Sequence, residues 1–295
     1  MRETMTILVK AFQERTYGTG VEVEIKESIK TNGVVREGIC IKEPGQRVAP
    51  VMYVDNILED MANGNIDSEE AAERLEDYYH SIKNDIPYGV NEKLTRDYIL
   101  DNVREILVNA EKNKADKKDR PIKDFLDLFV EYEIEFGGCG TTRVLNSMLD
   151  AFGITEEELK ARAHLNSIGC WKLTSMRETI SQIYMENCGM PREIAEAMIT
   201  MQDDNMYVLS NESKFHGAAA LFHIEMLLQV PGNDDLFILP SSIHEVLVVP
   251  DNGEMTVADL RSMVYEVNCA EVAPEEVLSH SVYKFNRETG RIDIA

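Results

Sequence analysis

The chain has no CxxC pair, no apolar run near the eighteen or so residues of a membrane span, and a single tryptophan. Each absence removes a class of function. Five cysteines, Cys40, Cys139, Cys170, Cys188 and Cys269, are odd in number and widely scattered. That pattern fits reduced thiols better than a disulfide framework or a zinc ribbon. The first residues, MRETMTILVKAFQERTYG, lack the apolar core and small-residue cleavage site of a secretion signal. A cytoplasmic setting without a membrane partner is the expectation. Positive charge is also scarce: 30 Lys and Arg stand against 53 Asp and Glu, a net charge of −23. Such a field repels phosphate backbones and anionic lipid, so direct nucleic-acid binding is not expected.

What is present begins with that acidity, which is local. From Asp203 to Val282 there are 14 acids against only Lys214 and Arg261. The basic run Lys112, Lys114, Lys117, Lys118, Arg120 and Lys123 is broken by Glu111, Asp116 and Asp119 and ends near Pro121. It reads as a solvated linker and divides the chain into an N-terminal α+β region, 1–115, and a C-terminal α+β region, 123–295. The two can pack as one domain.

Periodicity fills in the elements. Residues 3–16 suit a short helix with Met5, Leu8, Val9 and Phe12 inward. Val21, Val23 and Ile25 alternate with charged residues, and Asn32-Gly33 gives the hairpin turn in which both residues take positive φ. A strand to Lys42 and a third over Val48–Val54 complete an antiparallel meander. Asp67 with Glu70 opens a helix, and Ile99, Val103, Ile106, Leu107 and Ala110 recur as one helical face. Leu128 to Phe136 alternates as a strand, with Glu131, Glu133 and Glu135 on an outer face that reads as solvated. Gly137-Gly138-Cys139-Gly140 lacks the Lys-Ser/Thr of a phosphate loop and reads as a hairpin turn.

The stretch Leu149 to Leu159 has the cadence of a helix-turn-helix. Its second helix, however, opens with Glu156, Glu157 and Glu158, the wrong charge for a DNA groove. Thr155 and Glu158 instead make a capping box. Tyr207 to Pro250 is the densest core-type stretch: strand, a long apolar helix from Lys214 to Val230, strand, turn, strand. Thr256 and Asp259 cap a later helix, Pro274 opens a short one through Leu278, and a last hairpin turns at Thr289-Gly290. The fold class is therefore α+β, with the N-terminal meander and helices followed by a C-terminal mixed β-sheet covered by helices.

Candidate chemistry is sparse. His216 and His223, seven residues apart on the expected helix, lie too far apart for one metal without a ligand from elsewhere, and HExxH is absent. No metal ligand or cofactor is assigned. Ser241, Ser242, His244 and Glu245 lie together, and Lys214 is the isolated cation of the acidic tract. These five are the weak catalytic candidates of a hydrolase or metal-assisted enzyme around Pro240–Glu245. No GxSxG elbow surrounds the serines, and the alternative reading of Pro240-Ser241-Ser242 is a turn whose hydroxyls satisfy backbone groups. Trp171 reads as a core anchor. With no complete catalytic constellation, the leading expectation is a non-enzymatic acidic interaction or regulatory module. Its partner would be another protein with a basic surface or a nucleic-acid-binding enzyme, to which it could present a polyanion mimic in counter-defence. The oligomeric state is left open.

Several blocks resemble a family. Phe125-Leu126-Asp127-Leu128, Ile154 to Leu159, Tyr207 to Asn211 with Gly217-Ala218-Ala219, Ile238 to Val246, and Val272 to Ser279 are similar to the bacterial domain-of-unknown-function family 5688. The resemblance covers nearly the whole chain. It implies a bacterial setting, among gut Firmicutes, and no activity, so it transfers no catalytic residue.

Overall fold

The computed structural model describes residues 2–45, 49–85, 94–136, 140–199 and 205–295. It falls into two compact units, Met1–Asn102 with Ile134–Thr142, and Val103–Glu133 with Arg143–Ala295. The class is α+β. Among the described residues no helix is long and apolar enough to cross a membrane.

The first unit follows its sequence pattern closely. Helix α1 (Arg2–Arg15) buries Met5, Leu8, Val9 and Phe12, the i, i+3, i+4, i+7 stripe of an amphipathic helix. Strands β1 (Glu22–Ile29), β2 (Val35–Lys42) and β3 (Val51–Met52) form an antiparallel sheet in chain order. Asn32 and Gly33 both take positive φ in the first connection, as the Asn-Gly pair requires. Gly38 is needed for another reason: a Cβ there would lie 2.7 Å from the Met52 carbonyl oxygen, so only glycine lets β3 close on β2. Helices α2 (Asp55–Ala62), α3 (Ser68–Asp85) and α4 (Arg96–Asn102) complete the unit. Asp67 Oδ1 accepts from the amides of Glu69 and Glu70 at the head of α3. Leu58, Ala71, Leu75 and Tyr79 close the core beneath α1.

In the second unit the helix expected through Ile106 is instead strand β4 (Val103–Asn109). The run Val-Arg-Glu-Ile-Leu-Val-Asn is short, apolar and rich in β-branched residues, and such runs satisfy either period. β4 joins β5 (Lys123–Phe125), β6 (Leu128–Glu135) and β7 (Thr141–Arg143) in one sheet of order β4-β6-β5, with β7 also on β6. The charged 112–120 run lies inside this unit, partly as the 3-10 turn Lys114–Lys118. The expected turn at Gly137-Gly138-Cys139 lies outside the described residues. Helices α5 (Asn146–Phe152) and α6 (Glu156–Ser167) follow, divided by Gly153 in the left-handed region. Thr155 caps α6 by accepting from the Glu158 amide.

The largest sheet has six strands in the order β13-β12-β10-β11-β9-β8. They are β8 (Trp171–Ser175), β9 (Tyr207–Asn211), β10 (Leu236–Leu239), β11 (Val246–Pro250), β12 (Tyr283–Asn286) and β13 (Arg291–Ile294). Every pairing is antiparallel, not mixed as expected. Helices α7 (Met176–Cys188) and α8 (Arg192–Met198) follow β8. After β9 the chain makes only a 3-10 segment, Gly217–Phe222, and the single turn α9 (Ile224–Leu227), not a helix from Lys214 to Val230. Helix α10 (Val257–Ala270) carries the complete Thr256–Asp259 capping box. Its Leu260 and Val264 pack on Phe237, Leu239 and Val249 of the sheet. All four residues of β10 are buried, so the strand reads as one apolar run. Pro274–Glu276 form a turn, not a helix.

Asp127, in the β5–β6 turn beside Leu126 at φ 55°, anchors the C-terminal hairpin. Its carboxylate accepts from Ser279 Oγ at 2.6 Å, Ser281 Oγ at 2.9 Å and the buried Tyr283 hydroxyl. Burial pushes the Tyr283 phenol far up, followed in effect by the Asp127 charge. Asp127→Ala strands these hydroxyls and is expected to lower unfolding free energy by about 2 kcal/mol or more, whereas Tyr283→Phe, which leaves the carboxylate its serine partners, costs about 1 kcal/mol. Urea denaturation of both variants checks the ordering; equal losses would remove Asp127 from this role.

Candidate functional site

The segment after β9 is shaped by local hydrogen bonding rather than by helix propensity. Asn211 Oδ1 accepts from the Phe215 amide at 3.1 Å and from Ser213 Oγ at 3.0 Å, while its Nδ2 donates to the Phe215 carbonyl at 2.8 Å. Lys214 and His216 are held at φ 52° and 51°, unusual for side chains with a Cβ. Gly217 follows because nothing larger fits. A Cβ there would lie 2.2 Å from Ser210 Oγ and 2.4 Å from the His244 carbonyl oxygen. Three alanines then run buried as the 3-10 segment.

The five sequence candidates are divided by this geometry. Ser242 Oγ accepts from the His244 amide at 3.0 Å, a turn bond. His244 Nδ1 accepts from the His216 amide at 3.2 Å, and its Nε2 lies 3.3 Å from Glu276 Oε1. Both ring nitrogens thus serve partners other than a serine hydroxyl. The 240–243 segment is pinned to 276–279: Ile243 donates to the Glu276 carbonyl at 2.9 Å, Leu278 to Ser241 at 3.0 Å and Ser279 to Pro240 at 2.9 Å. A cavity of about 330 Å³ opens beside it, lined by Ser241, Ser242 and Glu245 together with Glu271, Glu276 and the apolar faces of Leu247 and Met263. Glu245 also borders a second cavity, of about 310 Å³, where Lys214 and Lys172 lie. The structure therefore brings Ser241, Ser242 and Glu245 together, places Lys214 at the neighbouring cavity, and sets His244 to one side of both.

His244 belongs to a buried network that alternation had placed in solvent. Glu131 and Glu133 are 1 % and 4 % exposed while Glu135 is exposed, so the expected solvated outer face of β6 is corrected at the first two, where both faces of the strand are covered. Arg120 Nη1 donates to Glu131 Oε2 at 2.9 Å, and Arg143 lies between Glu131 and Glu133. His216 Nδ1 donates to Glu133 Oε1 at 2.7 Å, and its ring stacks parallel to His244 at 5.8 Å. Burial pulls the His216 imidazole below its ordinary value, opposed by the bond to Glu133. Burial likewise lowers Arg143, opposed by the two carboxylates.

A second histidine cluster joins residues from three elements. Glu105 of β4, His164 of α6 and His223 at the end of the 3-10 segment each offer a donor atom, all within 4.8 Å of one another. His164 Nδ1 lies 3.5 Å from Glu105 Oε2, and the His164 and His223 rings stack at 4.7 Å. The Trp171 ring tilts over His223 at 5.2 Å, so the lone tryptophan packs against a polar cluster. Burial raises the Glu105 carboxyl, opposed by His164, and lowers His223, opposed by Glu225. No spacing rule would have found this set: Glu105 was read into a helix, His164 drew no reading, and His223 was paired with His216.

A family model described as a family of unknown function (DUF5688) matches residues 3–287, so the chain belongs to that family. No curated protein and no solved structure matches it.

Because the unfolded chain takes up the His216 proton at higher pH than the folded one, protonation opposes folding below about pH 6.5. Stability is therefore expected to fall as pH drops from there toward the depressed folded value. His216→Asn, which keeps a residue tolerant of the left-handed backbone, should show a shallower loss over the same window. Urea midpoints measured across it decide; parallel profiles would show that His216 does not titrate with folding.

Proposed function

We propose that this DUF5688 protein is a non-enzymatic interaction module that receives a basic side chain of a partner protein in the cavity beside Pro240–Glu245. The observation that carries the reading is the lining of that cavity. Glu245, Glu271 and Glu276 surround apolar walls from Leu239, Leu247, Met263 and Val264, and among the described residues no Lys or Arg lines it. A lysine or arginine suits such a site because its methylene stem takes the apolar wall while its cationic head meets the carboxylates. Not all of the acidic tract is available for this. Asp235 and Asp251 pair with Lys284, Glu225 pairs with His223, and Asp259 caps α10. Glu271, by contrast, is exposed and lines the cavity. A discrete acidic socket is therefore a better description than an unbroken polyanionic surface.

The hydrolase reading draws no comparable support, since neither ring nitrogen of His244 is directed at Ser241 or Ser242. The expected behaviour is selective, salt-sensitive binding. Fluorescently labelled peptides centred on Lys or Arg should bind, and the same peptides centred on Glu should not. The triple variant Glu245→Gln, Glu271→Gln, Glu276→Gln should weaken the basic peptides by about tenfold or more, a loss of about 1.4 kcal/mol. Equal binding of basic and acidic peptides, or a variant that binds like the parent, would overturn the reading.

A further inference from the structure

We infer that Glu105, His164 and His223 form a binding site for a divalent transition metal of the zinc type, separate from the acidic cavity. The first support is an atom without a partner. His223 is 1 % exposed, and its Nδ1 lies 3.2 Å from Glu225 Oε1. A carboxylate at that nitrogen fixes the proton on Nδ1 and leaves Nε2 with a free lone pair. That Nε2 is buried and has no hydrogen-bond partner among the described residues. Buried imidazole nitrogens are normally satisfied, and a carboxylate behind the ring is the arrangement that orients histidines which bind metal. Glu105 Oε2 is likewise buried, and Nδ1 of the exposed His164 ring lies 3.5 Å from it.

The second support is the donor set and its rigidity. Two imidazoles and one carboxylate are the ligands of three-coordinate zinc centres that keep a fourth position for water or an incoming group. The three come from β4, α6 and the 3-10 segment, so a bound ion would tie together elements distant in sequence. Their spacing is held from outside the cluster. Arg104 Nη1 donates to the Asn166 carbonyl at 2.7 Å, and Asn166 Nδ2 donates to the Val103 carbonyl at 3.0 Å, which fastens α6 to β4 beside Glu105 and His164. One adjustment is required. Donors within 4.8 Å must close to about 3.3 Å for bonds of about 2.0–2.1 Å, and the His164 ring must leave its parallel stack on His223. His164 is the exposed member of the set, with its side chain 49 % accessible, so it is the ligand free to turn. The fourth position would then face the solvent side of His164.

The test uses the full chain, freed of metal by chelation and titrated with Zn²⁺ against a chromophoric chelator, with Co²⁺ as a spectroscopic probe. One equivalent should bind, with visible ligand-field bands of a low-coordinate cobalt site and a higher melting temperature. His223→Ala should weaken binding by about 100-fold, and Glu225→Ala, which removes only the carboxylate behind His223, by about 10-fold or more. Because a buried change at His223 can disturb folding, His164→Ala supplies a second reading: its far-ultraviolet circular dichroism and melting in chelator should match the parent while zinc no longer raises the melting temperature. His216→Asn should bind zinc as the parent does. Absence of stoichiometric binding, or retention of parental affinity in both His164→Ala and His223→Ala, would overturn the assignment. Either result would leave the acidic cavity and its peptide binding untouched.

Discussion

Strand β6 carries Glu131 and Glu133 into the interior of the second unit, and two buried carboxylates impose a demand that the surrounding chain must meet. Removing each ion from water costs several kcal/mol even after relaxation, and only close partners with good geometry offset it. The partners come from three places: Arg120 after the basic turn, Arg143 at the end of β7, and His216 in the strained loop after β9. None of these positions can drift without leaving a buried charge exposed to an apolar medium. The left-handed backbone at His216 and the absence of a Cβ at Gly217 are then consequences. They are the conformations that bring an imidazole to Glu133 while leaving its amide free to donate to His244.

The same constraint explains why the second half of the chain reads worse than the first. In the N-terminal unit each strand and helix buries one face, so alternation, the Asn32-Gly33 turn and the α1 stripe each had one interpretation. In the second unit β6, as far as Ile134, and β10 are covered on both sides. Alternation on β6 correctly says that Glu131 and Glu133 share a face, but periodicity contains nothing about what covers that face. A sequence marks a buried carboxylate only through its partners. Arg120 lies 11 residues from Glu131, Arg143 lies 12 from Glu131 and 10 from Glu133, and His216 lies 83 from Glu133, pairings visible only once the topology is known.

The helix expected from Lys214 to Val230 fails for a related reason. Its apolar composition was read accurately; the burial of Ala218, Ala219, Ala220 and Leu221 confirms it. Its shape was not. Alanine favours a helix, but Asn211 captures the chain in a turn, and the left-handed backbone at Lys214 and His216 breaks any helix before Gly217. The five residues proposed around Pro240 illustrate the same limit on a smaller scale. Proximity in sequence put Ser241, Ser242 and Glu245 on one cavity, but the turn that pins 240–243 to 276–279 rotated His244 away from them.

Replacing a helix by a 3-10 segment also alters what the two histidines can do. On a helix, His216 and His223 would share one face and compete for the same surroundings. On the observed path they stand at opposite ends of a buried apolar strut, and each meets a different carboxylate on a neighbouring strand, Glu133 of β6 and Glu105 of β4. The two ends are then chemically unlike. At the first, His216 has its Nδ1 on Glu133 and Arg143 close by, so the charges are met within the protein and the assembly is structural. At the second, the described groups acting on Glu105 are the His164 imidazole at 3.5 Å and the charge of Lys123, His223 Nε2 has no hydrogen-bond partner among the described residues, and the ring that completes the cluster is exposed. A fold that neutralises one buried carboxylate with arginine and faces the other with two imidazoles gives the second position a donor set suited to a cation from outside. That difference between the ends of a single six-residue segment is the strongest reason to look for a metal there.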